Sequence, residues 1–237
     1  LGSFWGYTFA GVWQEDDVNA PFVDANGQTN GKTNGEVYKV KPGNSKYVDV
    51  NKDGVYNDAD QGIIGCGQPT FNWGWNNTFN YKNFDFSFFV VGFHGFDIYN
   101  ATHQMGYNLI KSQQMAGVTP MRELLNRWTP TNTNTDIPGF VKGGTENKDF
   151  FSTRFVENGS FIKMKSITLG YTLPEATCRS LGINNLRVYA SVQNPFHITK
   201  YSGLDPEATM GSPLVQGVDW GAYPNSRNYL IGLNFSF

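Results

Sequence analysis

The sequence has little charge, only two cysteines and no long apolar run. Asp, Glu, Lys and Arg together make up 16% of its 237 residues, against about 25% in a typical soluble domain. No stretch approaches the ~18 apolar residues of a membrane helix, so the chain could cross a bilayer only as strands. The formal net charge is −2 and no basic run is interleaved with aromatics, which excludes an ordinary nucleic-acid-binding surface.

Catalytic motifs are also absent from the sequence. There is no nucleophile elbow, phosphate loop or zinc-ligand spacing. Cys66 and Cys178 lie in dissimilar contexts, so we expect neither a metal site nor a disulfide there. Asp205 and Glu207 form a carboxylate pair, but neighbouring loop residues rarely keep the ~5 to 9 Å separation that sugar hydrolysis requires. We interpret them as a loop anchor and predict that the protein is not an enzyme.

Aromatic residues are abundant, at 16% of the chain, and many recur at a spacing of two. The last eleven residues alternate apolar with small or polar side chains and end on an aromatic. This pattern indicates a transmembrane strand of an outer-membrane barrel, with apolar side chains toward lipid and polar ones toward the lumen. A half-buried strand of a soluble sandwich has the same period and stays open as an alternative. The outer-membrane insertion signal would consist of Tyr229, Ile231, Leu233, Phe235 and Phe237.

Six segments show strand-like alternation, and connections of two lengths separate them. The predicted strands lie near residues 4–14, 71–81, 84–93, 160–173, 186–193 and 227–237. The long connections are 15–70, 94–159 and 194–226, whereas 82–83 and 174–185 are short. Outer-membrane barrels have short periplasmic turns and long extracellular loops, so a periplasmic carboxyl terminus would put all three long connections outside. Pro195 lacks an amide donor, and we predict that its strand ends at Asn194 or bulges there.

Short motifs occur along nearly the whole chain in a recognisable order. They include D-V-N-K-D-G at 49–54, G-W-N-N-T-F at 74–79, R-W-T-P at 127–130, L-G-Y-T-L-P at 169–174 and G-L-N-F-S-F at 232–237. In this order they resemble the carboxy-terminal third of SusC/RagA-type TonB-dependent outer-membrane transporters. By these motifs the sequence is identified as similar to that family, and we expect it to share the family's fold and function.

The resemblance implies an all-β fold in which residues 1–237 supply the C-terminal strands of a large antiparallel transmembrane β-barrel with long extracellular loops. Family members resemble a barrel of about 22 strands with an N-terminal plug, and we expect the plug to lie outside these residues. The resemblance also implies active import of oligosaccharides or peptides across the bacterial outer membrane. A SusD-like surface lipoprotein would be the partner, and TonB would supply energy through the missing N-terminal region. The alternative is a secreted β-sandwich that binds glycans on aromatic platforms.

Residues 49–60, D-V-N-K-D-G-V-Y-N-D-A-D, have oxygen donors at the spacing of a twelve-residue calcium loop. Side-chain donors fall at positions 1, 3, 5, 9 and 12, a backbone carbonyl at 7 and glycine at 6. Position 12 is Asp where such loops usually have Glu, so we expect weaker Ca²⁺ binding with a structural role. A chain of Asx turns that holds the loop without metal is the alternative. The predicted ligands are Asp49, Asn51, Asp53, Val55, Asn57 and Asp60.

Substrate contacts are predicted in the external loops. Aromatic rings stack on sugar faces, and amides bond to hydroxyl groups or peptide backbone, so the same residues suit glycans and peptides. Packing of the long loops explains these residues equally well. The candidates are Tyr99, Asn100, Tyr107, Trp128, Trp220 and Tyr223.

Overall fold

A computed structural model of the protein describes residues 2–107, 121–140, 150–180, 182–208 and 216–237. The strands are β1 (Ser3–Tyr7), β2 (Phe9–Val12), β3 (Pro21–Val23), β4 (Thr29–Thr33), β5 (Ser45–Tyr47), β6 (Gln61–Cys66), β7 (Phe71–Tyr81), β8 (Phe84–His94), β9 (Asp97–Asn100), β10 (Val156–Asn158), β11 (Phe161–Thr172), β12 (Asn185–Gln193), β13 (His197–Thr199), β14 (Val218–Asp219) and β15 (Asn228–Ser236). The α-helices are α1 (Glu15–Asn19), α2 (Asn34–Tyr38), α3 (Ala101–Tyr107) and α4 (Glu175–Ser180). None of the helices in these ranges is long and apolar enough to cross a membrane.

The chain divides into two compact units. The first unit comprises Leu1–Cys66, Tyr99–Val156 and Val218–Gly221, and the second comprises Gly67–Ile98, Glu157–Gly217 and Ala222–Phe237. The second unit contains the large sheet, and the first consists of short strands and helices.

The large sheet of the second unit is antiparallel, with strand order β15-β12-β11-β8-β7. The β7–β8 hairpin turns on Lys82 and Asn83, because Tyr81 pairs with Phe84 and Lys82 takes a left-handed φ of 53°. A two-residue turn of this kind matches the twist of the strands that it joins. Asn83 also bonds to β11, donating from Nδ2 to the carbonyl of Thr172 at 2.7 Å. The turn therefore fixes the register of three neighbouring strands.

One face of this sheet is apolar across all five long strands. The registers pair the apolar residues of each strand with the apolar residues of the next strand. Because paired residues face the same side of a sheet, the apolar residues of all five strands form one face. Its polar members are Asn77 on β7 and His94 at the end of β8. The face consists of Phe71, Trp73, Trp75, Phe79 and Tyr81 on β7, Phe84, Phe86, Phe88 and Val90 on β8, Ile162, Met164, Ile167, Leu169 and Tyr171 on β11, Leu186, Val188, Ala190 and Val192 on β12, and Tyr229, Ile231, Leu233 and Phe235 on β15.

The opposite face is largely polar and carries an ion pair across one intervening strand. Nε and Nη2 of Arg187 on β12 donate to the two carboxylate oxygens of Asp85 on β8, at 2.9 and 2.5 Å. Gly170 of β11 lies beneath this pair, and a Cβ there would come within 2.3 Å of Asp85 Oδ1. The glycine is needed because any side chain would separate the two charged groups.

The strand β12 ends just before Pro195, as the missing amide of that proline predicts. β12 stops at Gln193, and Asn194 adopts a left-handed φ of 49°. Its amide donates to the carbonyl of Lys165 at 2.9 Å, the residue at which β11 is itself irregular between Met164 and Ser166. β13 then resumes pairing with the far end of β11. The prediction that the strand ends at Asn194 or bulges is confirmed.

The apolar core of the second unit lies at one end of its sheet. Its buried members are Val91, Phe96, Ile98, Phe161 and Tyr201, and Phe93 packs against them. At the other end, the short connection between β11 and β12 forms the single helix α4, in which Cys178 is buried and donates to the carbonyl of Leu173 at 3.7 Å.

The first unit is made of paired short strands around its own core. Antiparallel pairs form between β1 and β6, β2 and β5, and β3 and β4, while β9 and β14 pair in parallel through Tyr99 and Asn100. Its core consists of the buried residues Phe4, Tyr99, Ala101, Phe155 and Val218.

The predicted strand at residues 4–14 is wrong as a strand of the large sheet. The segment forms two short strands, and their partners are β6 and β5 from the connection that follows. Gly11, at a φ of 108°, accompanies a register irregularity opposite β5. Phe4 is also buried while Trp5 is 59% exposed. Alternation with period two predicts a strand but does not identify its partner.

The other five predicted strands differ from β7, β8, β11, β12 and β15 by at most one residue at each end. Their apolar face is open: Phe71 is 60%, Leu233 61% and Ile231 85% exposed. A β-sandwich would bury this face against a second sheet. The exposed face argues against the sandwich alternative and agrees with a sheet that forms part of a barrel.

We expect arginine to be tolerated on the polar face and not on the apolar face at the same depth. Trp75 and Asn76 are neighbours in the middle of β7, on opposite faces. If the apolar face contacts lipid, Trp75→Arg should cost roughly 2 to 4 kcal/mol of folding free energy near the membrane centre, and Asn76→Arg should cost little. The measurement is the yield of folded full-length protein in the outer membrane.

Trp75→Leu serves as the control for loss of the ring and should retain most of the yield. Equal yields for Trp75→Arg and Asn76→Arg would contradict the assignment of the apolar face to lipid.

Candidate functional site

The acidic loop at residues 49–60 is held by a chain of Asx turns in the first unit. Oδ1 of Asn51 accepts from the amide of Asp53 at 3.1 Å, and Oδ1 of Asp53 accepts from the amide of Val55 at 2.8 Å. Oδ1 of Asn57 likewise accepts from the amide of Ala59 at 2.8 Å. These bonds satisfy loop amides without a metal, as the alternative interpretation of the sequence expects.

The predicted ligands nevertheless gather around Asp53. Its Oδ2 accepts from the side-chain amides of Asn51 and Asn57, both at 3.0 Å, and Asn57 also donates to the carbonyl of Val55 at 3.2 Å. The hydrogen bond from the Val55 amide is the main reason that the pKa of Asp53 lies below its usual value. The carboxylate is therefore in its charged form, the form that binds a cation.

The two ends of the loop are anchored by buried or half-buried carboxylates. Asp60 is 3% exposed and accepts from the amides of Val50 at 2.8 Å and Asn57 at 3.0 Å. Oδ2 of Asp49 accepts from Gly54 N and from the hydroxyl of Tyr38, both at 2.8 Å. Oδ1 of Asp49 is buried without a hydrogen-bond partner, so this carboxylate keeps one free acceptor.

Tyrosines next to the loop are held neutral by their surroundings. Burial, followed by the hydrogen bond to Asp49, raises the pKa of Tyr38 far above its ordinary value. Burial likewise raises the pKa of Tyr56 to about 12. The two rings stack with centroids 5.2 Å apart. Across the described ranges, no cluster of three or more His, Cys, Asp or Glu side chains is arranged to hold a metal ion.

Two predicted substrate contacts, Tyr99 and Asn100, are buried and belong to the structure of the first unit. Tyr99 is 1% exposed and its ring stacks on Phe151 with centroids 3.8 Å apart. Asn100 is also 1% exposed, and its Oδ1 accepts from the amide of His103 in the first turn of α3. Neither side chain presents surface to a ligand, so the prediction is wrong for both. Their sequence context could not reveal this, because an aromatic followed by an amide suits a core as well as a binding loop.

Trp128 and Tyr107 are partly buried and also make packing contacts. Nε1 of Trp128 donates to Oε1 of Gln14 at 2.9 Å, and its ring lies so close to Gly43 that a Cβ there would come within 2.6 Å of it. Tyr107 lies against the core ring of Phe155. These contacts are those of loop packing, which was the competing explanation.

Trp220 and Tyr223 are the predicted contacts that remain on the surface. Trp220, in the first unit, is 56% exposed, and Tyr223, in the second, is 89% exposed. Exposed rings of this size can stack on an apolar ligand face. Of the six candidates, these two have side chains exposed enough for a ligand to reach.

The second unit contains a buried ion-pair cluster, and the sequence predicted its carboxylates but not its lysines. Nζ of Lys163 donates to Asp205 Oδ2 at 2.8 Å and to Glu207 Oε2 at 2.7 Å, and Lys165 donates to the other oxygen of Glu207. Lys163 is 2% and Asp205 5% exposed. The interpretation of Asp205 and Glu207 as a loop anchor is confirmed, and β11 supplies the lysines. Two lysines within a strand of alternating polarity were the signal that could have identified the partner.

Asn225 joins a second stretch of loop to this Lys163 cluster, which comprises Lys163, Lys165, Asp205, Glu207 and Asn225. Its amide and its Nδ2 both donate to Asp205 Oδ2 at 3.1 Å, and Nδ2 donates to Glu207 Oε2 at 2.9 Å. The cluster thus ties residues 205–207 and 225 to the same strand.

The two carboxylates of the Lys163 cluster are ionised at neutral pH. Burial alone would raise the pKa of Asp205 and of Glu207, but hydrogen bonds led by those from Lys163 lower both below their ordinary values. Because the folded pKa values are depressed, the stabilisation is fully present above the unfolded carboxyl values of about 4. It is lost as the pH falls from there through the folded values.

Removing the cation of the Lys163 cluster should release the loop. Lys163→Met leaves Asp205 buried without its charged partner, which costs about 3 to 5 kcal/mol for a buried pair. Hydrogen exchange of the amides at 203–207 and 225–226 in the full-length protein should therefore become faster.

Glu175→Gln is the matched control, since it breaks an ion pair whose members are 80% and 82% exposed and should change nothing measurable. Unchanged exchange in Lys163→Met would show that the cluster does not hold the loop.

No protein-family model matches the chain, but curated proteins resemble it. It is 34% identical over 243 residues to TonB-dependent receptor P3 of Formosa agariphila, covering 100% of this chain and 22% of that protein. It is 32% identical over 199 residues to TonB-dependent receptor SusC of Bacteroides thetaiotaomicron, covering 83% of this chain and 18% of SusC. The chain thus spans about a fifth of the length of these relatives.

Solved structures show the same fold. A chain of the RagAB peptide transporter superposes with a TM-score of 0.71 at 24% identity, over 99% of this chain and 22% of that one. The RagAB peptide importer in its open-open state gives a TM-score of 0.70 at 23% identity. The large sheet of the second unit therefore agrees with part of a transporter barrel.

Proposed function

Because this chain is a C-terminal segment of a SusC/RagA-type TonB-dependent receptor, we propose that it supplies barrel wall and external loops to an outer-membrane importer of oligosaccharides or peptides. The observation that carries this proposal is the open apolar face shared by five antiparallel strands. Such a face needs lipid, and only a closed barrel satisfies the backbone of strands in lipid. The remaining strands of the receptor would complete the wall.

The proposed orientation puts the carboxyl terminus on the periplasmic side. The β7–β8 turn and the α4 connection are then periplasmic, and the three long connections are extracellular. A SusD-like surface lipoprotein would close over those external connections, and TonB would drive import through parts of the receptor beyond this chain. The apolar residues of β15, with Phe237 after them, would serve as the signal for outer-membrane insertion.

The proposed role is transport without chemistry on the substrate. Asp205 and Glu207 form the carboxylate pair that could suggest hydrolysis. Both instead accept hydrogen bonds from Lys163 and Asn225. The relatives are named as receptors and importers. The ligand is therefore bound and passed on unchanged.

Substrate contact in the external loops is proposed for Trp220 and Tyr223. Replacing an aromatic ring that stacks on a ligand removes about 0.5–1.5 kcal/mol, so Trp220→Ala and Tyr223→Ala should each weaken binding about two- to twelvefold. The measurement is uptake of labelled oligosaccharides and labelled peptides by cells that express the full-length receptor.

Leu125→Ala removes another large apolar group that is 79% exposed and should leave uptake unchanged. Uptake that persists after deletion of TonB would overturn the proposed function. Unchanged uptake in both ring variants would remove only the assignment of these contacts.

We also propose that residues 49–60 bind Ca²⁺ as a structural ion. The gathered Asp, Asn and Val55 carbonyl oxygens, together with the unpartnered Asp49 Oδ1, support this proposal. Binding would require the side-chain amides of Asn51 and Asn57 to turn their oxygens inward, which a cation would favour.

Asp53→Asn separates the two interpretations of this loop. Asparagine can keep the Asx turn to Val55 but loses the charge, so Ca²⁺ should no longer protect residues 46–61 of the full-length receptor from protease. Asp58→Asn is the control, since Asp58 lies in the same loop and is outside the predicted ligand set. Equal protection with calcium and with chelator in the unmodified receptor would exclude the ion.

A further inference from the structure

A cavity of about 370 Å³ lies in the second unit where β12 gives way to β13. Phe196, Leu204 and Pro224 supply apolar walls, and Asn225 and Arg227 supply polar ones. A cavity that combines apolar surfaces with a cationic group free to bind an anion suits an amphiphile that carries an anion.

The cavity follows from the way the strands lose register at this point. On β8, Phe89 pairs with Ser166 of β11 and Val91 pairs with Lys163. One residue separates the two on β8 and two residues separate their partners on β11, so β11 has one extra residue here. On its other side, Ser166 pairs with Gln193 and Lys163 pairs with His197. The segment from β12 to β13 therefore has one residue more than the part of β11 that it pairs with. Each extra residue bends its strand away from its neighbour. β15 pairs with β12 only as far as Gln193, so the wall opens beyond that residue.

Arg227 is the unneutralised cation of this cavity. Lys163 and Asp205 also line it, but they bond to each other, and Asp205 accepts three further hydrogen bonds from Glu207 N and from Asn225. Arg227 makes no side-chain hydrogen bond or ion pair with any residue in the described part of the chain. Its guanidinium is consequently available for an anion, and its planar donors fit phosphate oxygens.

The cavity lies at the level of the proposed outer membrane boundary. Tyr229, which also lines it, is the last member of the apolar face on β15 at the end away from the carboxyl terminus. Tyrosine at the edge of an apolar band is typical of the membrane interface. Arg227 precedes it by two residues, just before β15 begins at Asn228, so it lies at the height proposed for the lipid head groups.

We propose that this cavity binds the phosphate group of an outer-leaflet glycolipid, with Arg227 as the phosphate ligand and Phe196 and Leu204 against the apolar part. The site would fix a lipid beside the opening in the wall. The inference rests on the proposed function, because the orientation of the barrel puts Arg227 at the outer leaflet.

The test measures lipid retained by the purified full-length receptor in native mass spectrometry. Three probes are added separately: lipid A with its phosphates, the same lipid A after enzymatic removal of phosphate, and inorganic phosphate. The variants are Arg227→Gln, Arg227→Lys and, as a matched control, Arg179→Gln, which removes one arginine from α4 at the opposite end of the sheet. Loss of a charge-assisted bond should lower retention of phosphorylated lipid A by about tenfold in Arg227→Gln.

Support consists of that loss, partial retention in Arg227→Lys, normal retention in Arg179→Gln, and weak binding of dephosphorylated lipid. Equal retention of the two lipids, an equal loss in Arg179→Gln, or an unchanged Arg227→Gln would overturn the proposal. Displacement of the lipid by inorganic phosphate at equal concentration would identify a free-phosphate site instead. TonB-dependent uptake is measured on the same variants, so transport that persists while lipid binding fails leaves the proposed function standing.

Discussion

The structure of the second unit depends on the register of its five antiparallel strands. Each apolar residue must pair with a residue on the neighbouring strand that faces the same side of the sheet. A slip of one residue between two strands would transfer every apolar residue of one strand to the polar face. The registers keep this pairing from β7 to β15 without interruption over the central part of the sheet. β11 and the β12–β13 strand each contain one extra residue, and beyond it the side chains return to their original faces. Lys163 therefore faces the same side as Ser166, and His197 faces the same side as Gln193. The bulges therefore bend the wall without mixing its two faces.

Charge in the long strands obeys the same constraint. Asp85 and Arg187 pair on the polar face, and the lysines of β11 bond on that side to Asp205 and Glu207. A buried ion pair contributes little net stability over an apolar substitute, but losing one partner is costly. Such a cluster consequently specifies where a loop attaches more than how stable the protein is. Lys165, the residue at the bulge, is also one of the two lysines that anchor the loop, so the bend and the attachment point coincide.

The sequence predicts the five long strands well because each carries a complete pattern within itself. Alternation, a two-residue turn at Lys82 and Asn83, and a proline at 195 are local signals, and local signals give bounds within a residue. The segment 4–14 shows the limit of such signals, since its aromatics alternate equally well but its partners, β5 and β6, are chosen by tertiary packing. Tyr99 and Asn100 show the same limit for sites. Nothing in a short aromatic–amide run tells whether it faces a ligand or the core, because burial is a property of the folded chain.

The Lys163 cluster and the cavity beside it could not be predicted for a related reason. Lys163 and Asp205 are 42 residues apart in the chain, and the cavity arises from a difference in residue count between neighbouring strands. Both features follow once the bulges are known. Extra residues bend β11 and the β12–β13 strand, the bend ends the pairing of β15 at Gln193, and the opening leaves Arg227 beside the cluster without sharing its carboxylates. A single change of register in the wall thus produces both a firmly held loop and an accessible cation next to it.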